Sequence, residues 1–178
     1  MSMIEVTIDS IRVSLTSQAR IVVLKETDAE RYLPIWIGPD TADAITMQLQ
    51  SVAALRPMTH DLLKNVVTAM GGKVSHIIVN ALQNDTFYAQ IILDVDGRSM
   101  EIDSRPSDAL ALAVRTNAKI FVEEEVMKDA SIVPEVGLDL EAGFEEAGEE
   151  LEDENLEAFR DFVDSLDLDD FSSGSQSQ

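Results

Sequence analysis

Residues 103–108 read Asp-Ser-Arg-Pro-Ser-Asp, and residues 109–115 continue as Ala-Leu-Ala-Leu-Ala-Val-Arg. A polar knot therefore runs straight into a nearly all-apolar helical run. Pro106 fixes its own φ and pushes Arg105 out of the helical region, so the helix should begin within a residue of the proline. Asp108 then lies in the first turn, where the helix dipole favours a carboxylate. Arg105 sits just outside that end, free to reach an anion or to clamp a carboxylate. A second knot, Thr59-His60-Asp61, opens another helix and holds one of the chain's two histidines. Together the two knots could bind anions, hold a cation or move a proton. The competing reading makes them competent caps, with Arg105 paired to Asp61 or Asp108 in a salt bridge between two helix starts.

The elements that must carry these residues can be read from periodicity. Ile4, Val6 and Ile8 alternate, and Ile11, Val13 and Leu15 alternate in the opposite phase, so a bulge or bend is expected around Asp9–Ser10. Two further strands are expected over Ala19–Glu26 and Arg31–Ile37. Gly38-Pro39-Asp40 opens a helix whose Ala42, Ile45, Leu49 and Val52 share one face. The helix beginning at Thr59 has Leu62, Leu63, Val66, Val67 and Met70 as its apolar stripe and stops at Gly71-Gly72. Lys73–Leu82 and Thr86–Val95 read as strands, and Asp96-Gly97 signals a hairpin into Arg98–Ile102. After the Pro106 helix come a short strand, Lys119–Val122, and a turn or two of helix over Glu123–Lys128. His76 falls inside an alternating strand and reads as a packed or surface histidine; Trp36 reads as core or interface.

Strands outnumber helices and several are joined by tight turns. The expected class is α+β: a mixed, mostly antiparallel sheet with three main helices. No glycine-rich phosphate loop or alternating βαβ run is present, which excludes a Rossmann or P-loop domain.

Charge divides the chain. It holds 34 Asp+Glu against 13 Lys+Arg, a net of −21. Residues 1–130 carry 12 basic and 18 acidic side chains, a net of −6, whereas residues 131–178 carry Arg160 against 16 acidic ones, a net of −15. The first part is therefore only mildly acidic and leaves room for a local basic groove. Four regions are expected: one domain over residues 1–133, an acidic disordered linker over 134–153, a short amphipathic helix over 154–171 and a disordered end over 172–178. In the third, Leu156, Phe159, Val163 and Leu166 share a face. Such a helix on an acidic tether would dock on its own domain or on a basic partner.

There is no cysteine, which removes disulfides, thiolate metal sites and cysteine nucleophiles. Aromatics make up 5% of residues, so the core must be aliphatic. The N-terminus lacks a basic segment followed by an apolar run, and no stretch approaches the roughly 20 apolar residues needed to span a bilayer. A cytoplasmic protein with no membrane contact is expected.

Four stretches resemble the bacterial and plant bifunctional nuclease domain family, long catalogued as a domain of unknown function. They are Leu33-Pro34-Ile35-Trp36-Ile37-Gly38, Arg56-Pro57-Met58-Thr59-His60-Asp61-Leu62-Leu63, Asp85-Thr86-Phe87-Tyr88-Ala89, and Ser104-Arg105-Pro106-Ser107-Asp108-Ala109-Leu110-Ala111-Leu112-Ala113. The resemblance covers the first 130 or so residues, and implies an α+β fold with a central mixed sheet and cleavage of DNA and RNA. Phosphodiester cleavage needs an activated water, charge neutralisation on phosphate and usually one or two Mg²⁺ or Mn²⁺ ions on carboxylates. The matched residues can supply each part. His60, Asp61, Asp108 and Arg105 are the candidate catalytic residues, with His60 as general base or ligand. Arg56 and Arg105 are candidates to bind phosphate bidentately. Asp103 and Asp108, straddling the Arg-Pro turn, could hold Mg²⁺ or Mn²⁺. Nucleic acid is the implied substrate, and a homo-oligomer is left open. The alternative is a non-catalytic regulatory or scaffold module that binds a partner protein or small ligand.

Overall fold

The computed structural model describes residues 2–13 and 19–133. The linker, the amphipathic helix and the chain end expected beyond residue 133 lie outside the described residues. Eleven elements follow in order: β1 (Met3–Val13), β2 (Arg20–Glu26), β3 (Tyr32–Ile37), α1 (Pro39–Leu49), α2 (Thr59–Ala69), β4 (Gly72–Gln83), β5 (Thr86–Val95), β6 (Arg98–Ser104), α3 (Pro106–Thr116), β7 (Lys119–Glu123) and α4 (Glu124–Ala130). The strands form a seven-stranded sheet in the order β3-β2-β1-β7-β4-β5-β6. Only β4 and β7 run parallel; every other neighbouring pair is antiparallel. The fold is α+β with a mixed, mostly antiparallel sheet.

The phase switch in β1 is a register shift. Ile8 pairs with Leu24, and the next partners are Ser10 and Val23, so Asp9 is the extra residue. That slip returns Ile11 to the core side, where it packs with Ile8. Two turns place adjacent non-helical residues at positive φ: Asn84 and Asp85 between β4 and β5, and Asp96 and Gly97 between β5 and β6. Asn, Asp and Gly are the residues that tolerate this region, and paired positive φ values match the right-handed twist of a hairpin.

The core is aliphatic. Val6, Val22, Leu24, Leu33, Ile35, Ile77, Val79, Ile91 and Val122 line one face of the sheet. Helix α3 lies against it, with Ala109, Leu110, Ala111, Leu112 and Ala113 all buried. A helix apolar on every side has no face to give to water and must be enclosed; α3 packs on β4, β5 and β7 and is covered by α1 and α2. Its alternating alanines let the covering helices approach closely. The other face of the sheet also buries Ile21, Val23, Ile78 and Ile92.

Two helices depart from their expected faces. In α1, Ala42 and Ile45 are buried but Leu49 is about half exposed, and Val52, expected on the same face, lies past the end of the helix and is also about half exposed. In α2, Leu62, Leu63, Val66 and Met70 are exposed, and the buried residue is His60. Helix α2 is held to α3 mainly by polar bonds and Val67, which turns its apolar stripe outward. Its N-cap is Met58, one residue before the expected Thr59. Gly71 ends this stretch at φ +79°, and a Cβ on Gly72 would meet the Val67 carbonyl at 3.1 Å, so both glycines are needed for the tight return into β4. Among the described residues no helix is long and apolar enough to cross a membrane.

Candidate functional site

The polar residues singled out in the sequence come from two helix starts. Pro106 is the first residue of α3, Arg105 is its N-cap, and Asp108 lies in its first turn. His60 is the second residue of α2, with Asp61 beside it in the same turn. Because α2 packs across α3, the two starts meet. His60 Nε2 stands 3.0 Å from Asp108 Oδ1, and Arg105 Nε donates to Asp108 Oδ2 at 2.7 Å. One carboxylate therefore bridges an imidazole and a guanidinium.

Burial grades across this trio. The His60 side chain is 9% exposed, Asp108 29% and Arg105 76%. The cluster thus runs from the interior to solvent, with the cation outermost. An ionised carboxylate can only accept hydrogen bonds, so the proton on the contact belongs to Nε2 of His60. In the neutral ring Nδ1 is then the lone-pair nitrogen. Partial burial pushes the Asp108 carboxyl up, but the hydrogen bonds from Arg105 and His60 outweigh it and leave its pKa below the ordinary value. Arg105 is raised in return, chiefly through its bond to Asp108. Asp108 is held ionised, and so serves as an acceptor and orienting group.

Asp61 belongs to a different pair. Its Oδ2 accepts the backbone N–H of Met58 at 2.9 Å, which satisfies an N-terminal donor of α2. Its Oδ1 accepts from Arg115 Nε at 2.7 Å. The Met58 amide pulls the Asp61 pKa down most strongly; burial opposes it, and Arg115 adds to the lowering. Arg115 is 3% exposed and also donates to the carbonyls of Ala111 at 2.8 Å and Ala44 at 3.1 Å. A single buried guanidinium thereby ties α1, α2 and α3 together. Lys64 completes the arrangement by donating to the Arg115 carbonyl at 2.9 Å, at the C-terminal end of α3.

Arg115 was not among the residues singled out as functional. Its signal was present: an arginine closing an apolar run, seven residues after Asp108 and so on the same helical face. A charge in that setting calls for a buried partner.

Arg56 lies on the exposed connection between α1 and α2 and lines a cavity of about 310 Å³ with Met58, Asp61 and Arg115. Asp103 is exposed on β6, opposite Gln90 of β5. Among the described residues no group of three or more His, Asp and Glu side chains is placed to hold a metal ion. Both oxygens of Asp108 already accept from His60 and Arg105. The donor set does not make a metal site by itself; it fits only an ion that takes most of its oxygens from phosphate and water, as Mg²⁺ commonly does. His76, on β4, packs edge-on against Phe121 of β7 with ring centroids 5.5 Å apart.

The architecture is an α+β domain with two helix N-termini joined by an imidazole–carboxylate–guanidinium chain. The chain belongs to the bifunctional nuclease domain family, whose model matches residues 22–135. An uncharacterized protein of Mycobacterium tuberculosis is 37% identical over 167 residues, spanning 94% of this chain and 97% of that one. Bifunctional nuclease 2 of Oryza sativa subsp. japonica is 28% identical over 112 residues, covering 61% of this chain. Bifunctional nuclease 1 of Arabidopsis thaliana is 29% identical over 107 residues, covering 58% of this chain. The matched region spans about a third of each plant protein, 34% and 33%.

Proposed function

We propose that the protein is a nuclease that cleaves phosphodiester bonds of DNA, RNA or both where the starts of α2 and α3 meet. The observation that carries this reading is the His60–Asp108–Arg105 chain, at 3.0 and 2.7 Å. Asp108 fixes the ring of His60 with its proton on Nε2, which leaves Nδ1 to take a proton from water. The resulting hydroxide attacks phosphorus, and the P–O bond opposite breaks with its electron pair passing to the leaving oxygen, which takes a proton from solvent while His60 gives its own back to water. The exposed Arg105 is suited to a phosphate oxygen as negative charge builds in the transition state, and Arg56 to a neighbouring phosphate. Asp61 acts behind them as a positioning residue, since Met58 and Arg115 occupy its carboxylate. Mg²⁺ or Mn²⁺ arriving with the substrate, with Asp103 as the nearest uncommitted carboxylate in sequence, would add charge neutralisation on the phosphate.

Family membership and the plant relatives named as nucleases support this reading. The test is cleavage of labelled single- and double-stranded substrates by purified protein with Mg²⁺ or Mn²⁺. His60→Ala should lower the rate by at least about 10²-fold, the usual worth of a positioned acid–base group. Activity that persists in a His60→Ala, Asp108→Ala double variant would belong to a contaminant. The exposed stripe Leu62, Val66 and Met70 would then favour a scaffold module that binds a partner protein.

A further inference from the structure

The cavity beside α2 has a composition that the trio at Asp108 does not explain. It lies between the end of α1 and the start of α2 and is lined by Met47, Val52, Leu55, Arg56 and Met58, with the Asp61–Arg115 pair in its wall. His60, Arg105 and Asp108 are not among its lining residues. At about 310 Å³ it stands at the small end of ligand pockets, which run from about 300 to 1,000 Å³. That limits it to a small ligand, of about the size of a single nucleotide.

Its charge is equally restrictive. Asp61 and Arg115 neutralise one another at 2.7 Å. Arg56 makes no hydrogen bond or ion pair among the described residues, so the lining carries one uncompensated positive charge in a chain of net −21. Apart from Gln48 the remaining lining residues are apolar, and two of them are methionines, whose sulfurs make favourable contacts with aromatic rings. The connection that forms the rim, residues 50–58, is long for a join between packed helices, and it leaves Val52 51% and Leu55 103% exposed. Apolar side chains held open around a lone guanidinium describe a site for an aromatic ring that bears one anionic group.

We propose that this cavity binds a single nucleotide, with its base against Met47, Met58 and Leu55 and its phosphate on Arg56. The inference rests on the nuclease reading in taking the ring to be a nucleobase. The nucleotide is either free or the terminal residue of a strand whose scissile phosphate lies toward Arg105. Arg56 thereby becomes a specificity residue that selects ligands carrying a phosphate next to a ring.

Calorimetry on the full chain tests this with adenosine 5′-monophosphate, adenosine, inorganic phosphate and a 5′-phosphorylated tetranucleotide. The monophosphate should bind more tightly than about 1 mM, and adenosine about 10-fold or more weaker, the discrimination expected of a charge-assisted bidentate contact. Arg56→Ala should bring the monophosphate down to the level of adenosine and leave adenosine unchanged. Ala54→Trp, placed on the exposed rim, should block both while thermal unfolding stays where it was. A tetranucleotide that binds more tightly than the monophosphate assigns the site to a strand end; equal affinity assigns it to the free nucleotide. Equal binding of monophosphate and adenosine, or an Arg56→Ala variant that binds the monophosphate normally, overturns the proposal. Nucleotide binding without cleavage would overturn the nuclease reading and leave the pocket standing, whereas cleavage without nucleotide binding would do the reverse.

Discussion

Arg115 and Asp61 meet at 2.7 Å where the guanidinium is 3% exposed and the carboxylate 32%. The contact spans 54 residues of sequence and joins the end of α3 to the start of α2. It differs in kind from the Arg105–Asp108 pair at the same distance, whose arginine is 76% exposed.

That difference sets a stability prediction. Asp61→Ala strands a buried guanidinium and removes the acceptor for the Met58 amide, so it should cost about 3–5 kcal/mol in urea unfolding. Arg105→Ala removes only a surface partner and should cost less than about 1 kcal/mol. A double variant, Asp61→Leu with Arg115→Met, should recover part of the loss because no charge is left buried. Equal effects of the two single substitutions would show that burial does not separate the pairs.

The pH dependence follows from the same carboxylates. Asp61 and Asp108 have folded-state pKa values below their ordinary ones. Their contribution to stability is therefore fully present above the ordinary carboxylate pKa of about 4, and it is lost as pH falls from there through the lowered folded values. Melting temperature should hold between about pH 5 and 7 and then decline. In Asp61→Asn the decline below pH 4 should be shallower, although the variant starts lower. An unchanged slope in that variant would remove Asp61 from the acid transition.

For catalysis, His60 and Asp108 should behave as one unit. His60→Ala and Asp108→Ala should each lower cleavage by about 10²-fold or more, and the double variant should be little worse than the poorer single one. Multiplying effects would mean that the two act separately. EDTA should abolish cleavage but leave the melting temperature unchanged, since among the described residues no cluster of three ligands binds a metal as part of the fold. A melting temperature that drops with EDTA would reveal a structural ion.

Residues beyond 133 supply the fourth prediction. Residues 131–178 carry a net of −15 beside a domain at −6. Truncation after Val133 should leave a folded domain that binds a short labelled oligonucleotide more tightly, most visibly at low salt where screening is weak. Equal affinities of the two chains at low and high salt would exclude competition by the acidic segment and favour recruitment of a basic partner.

The order of elements was legible because each strand and helix carries its own period and punctuation. Even the extra residue at Asp9 showed, since a two-residue repeat reverses phase when one residue is inserted. What periodicity could not show was which side of α2 faces inward. Leu62, Val66 and Met70 form a sound stripe, yet the inward side is defined by His60, Lys64 and Val67, through bonds to Asp108 and Arg115 that are 48 and 51 residues distant. The meeting of His60 with Asp108 was open to inference from two polar helix starts. That Arg115 needs a buried partner was legible too, but which groups it meets was not, because they lie on three helices whose packing no local signal encodes.

Strand β7 has one further consequence. It is the last strand in sequence but sits fourth in the sheet, between β1 and β4. Until residues 119–123 have been made, β1–β3 and β4–β6 are two half-sheets with no shared hydrogen bonds, each with an open inner edge at β1 or β4. A nascent chain emerging from the ribosome must keep the β1 edge, and later the β4 edge, unpaired until Lys119–Glu123 has been made and can be inserted between them, so assembly waits on a late, long-range contact. A premature stop before Lys119 would therefore leave a chain that presents two sticky edges to its neighbours.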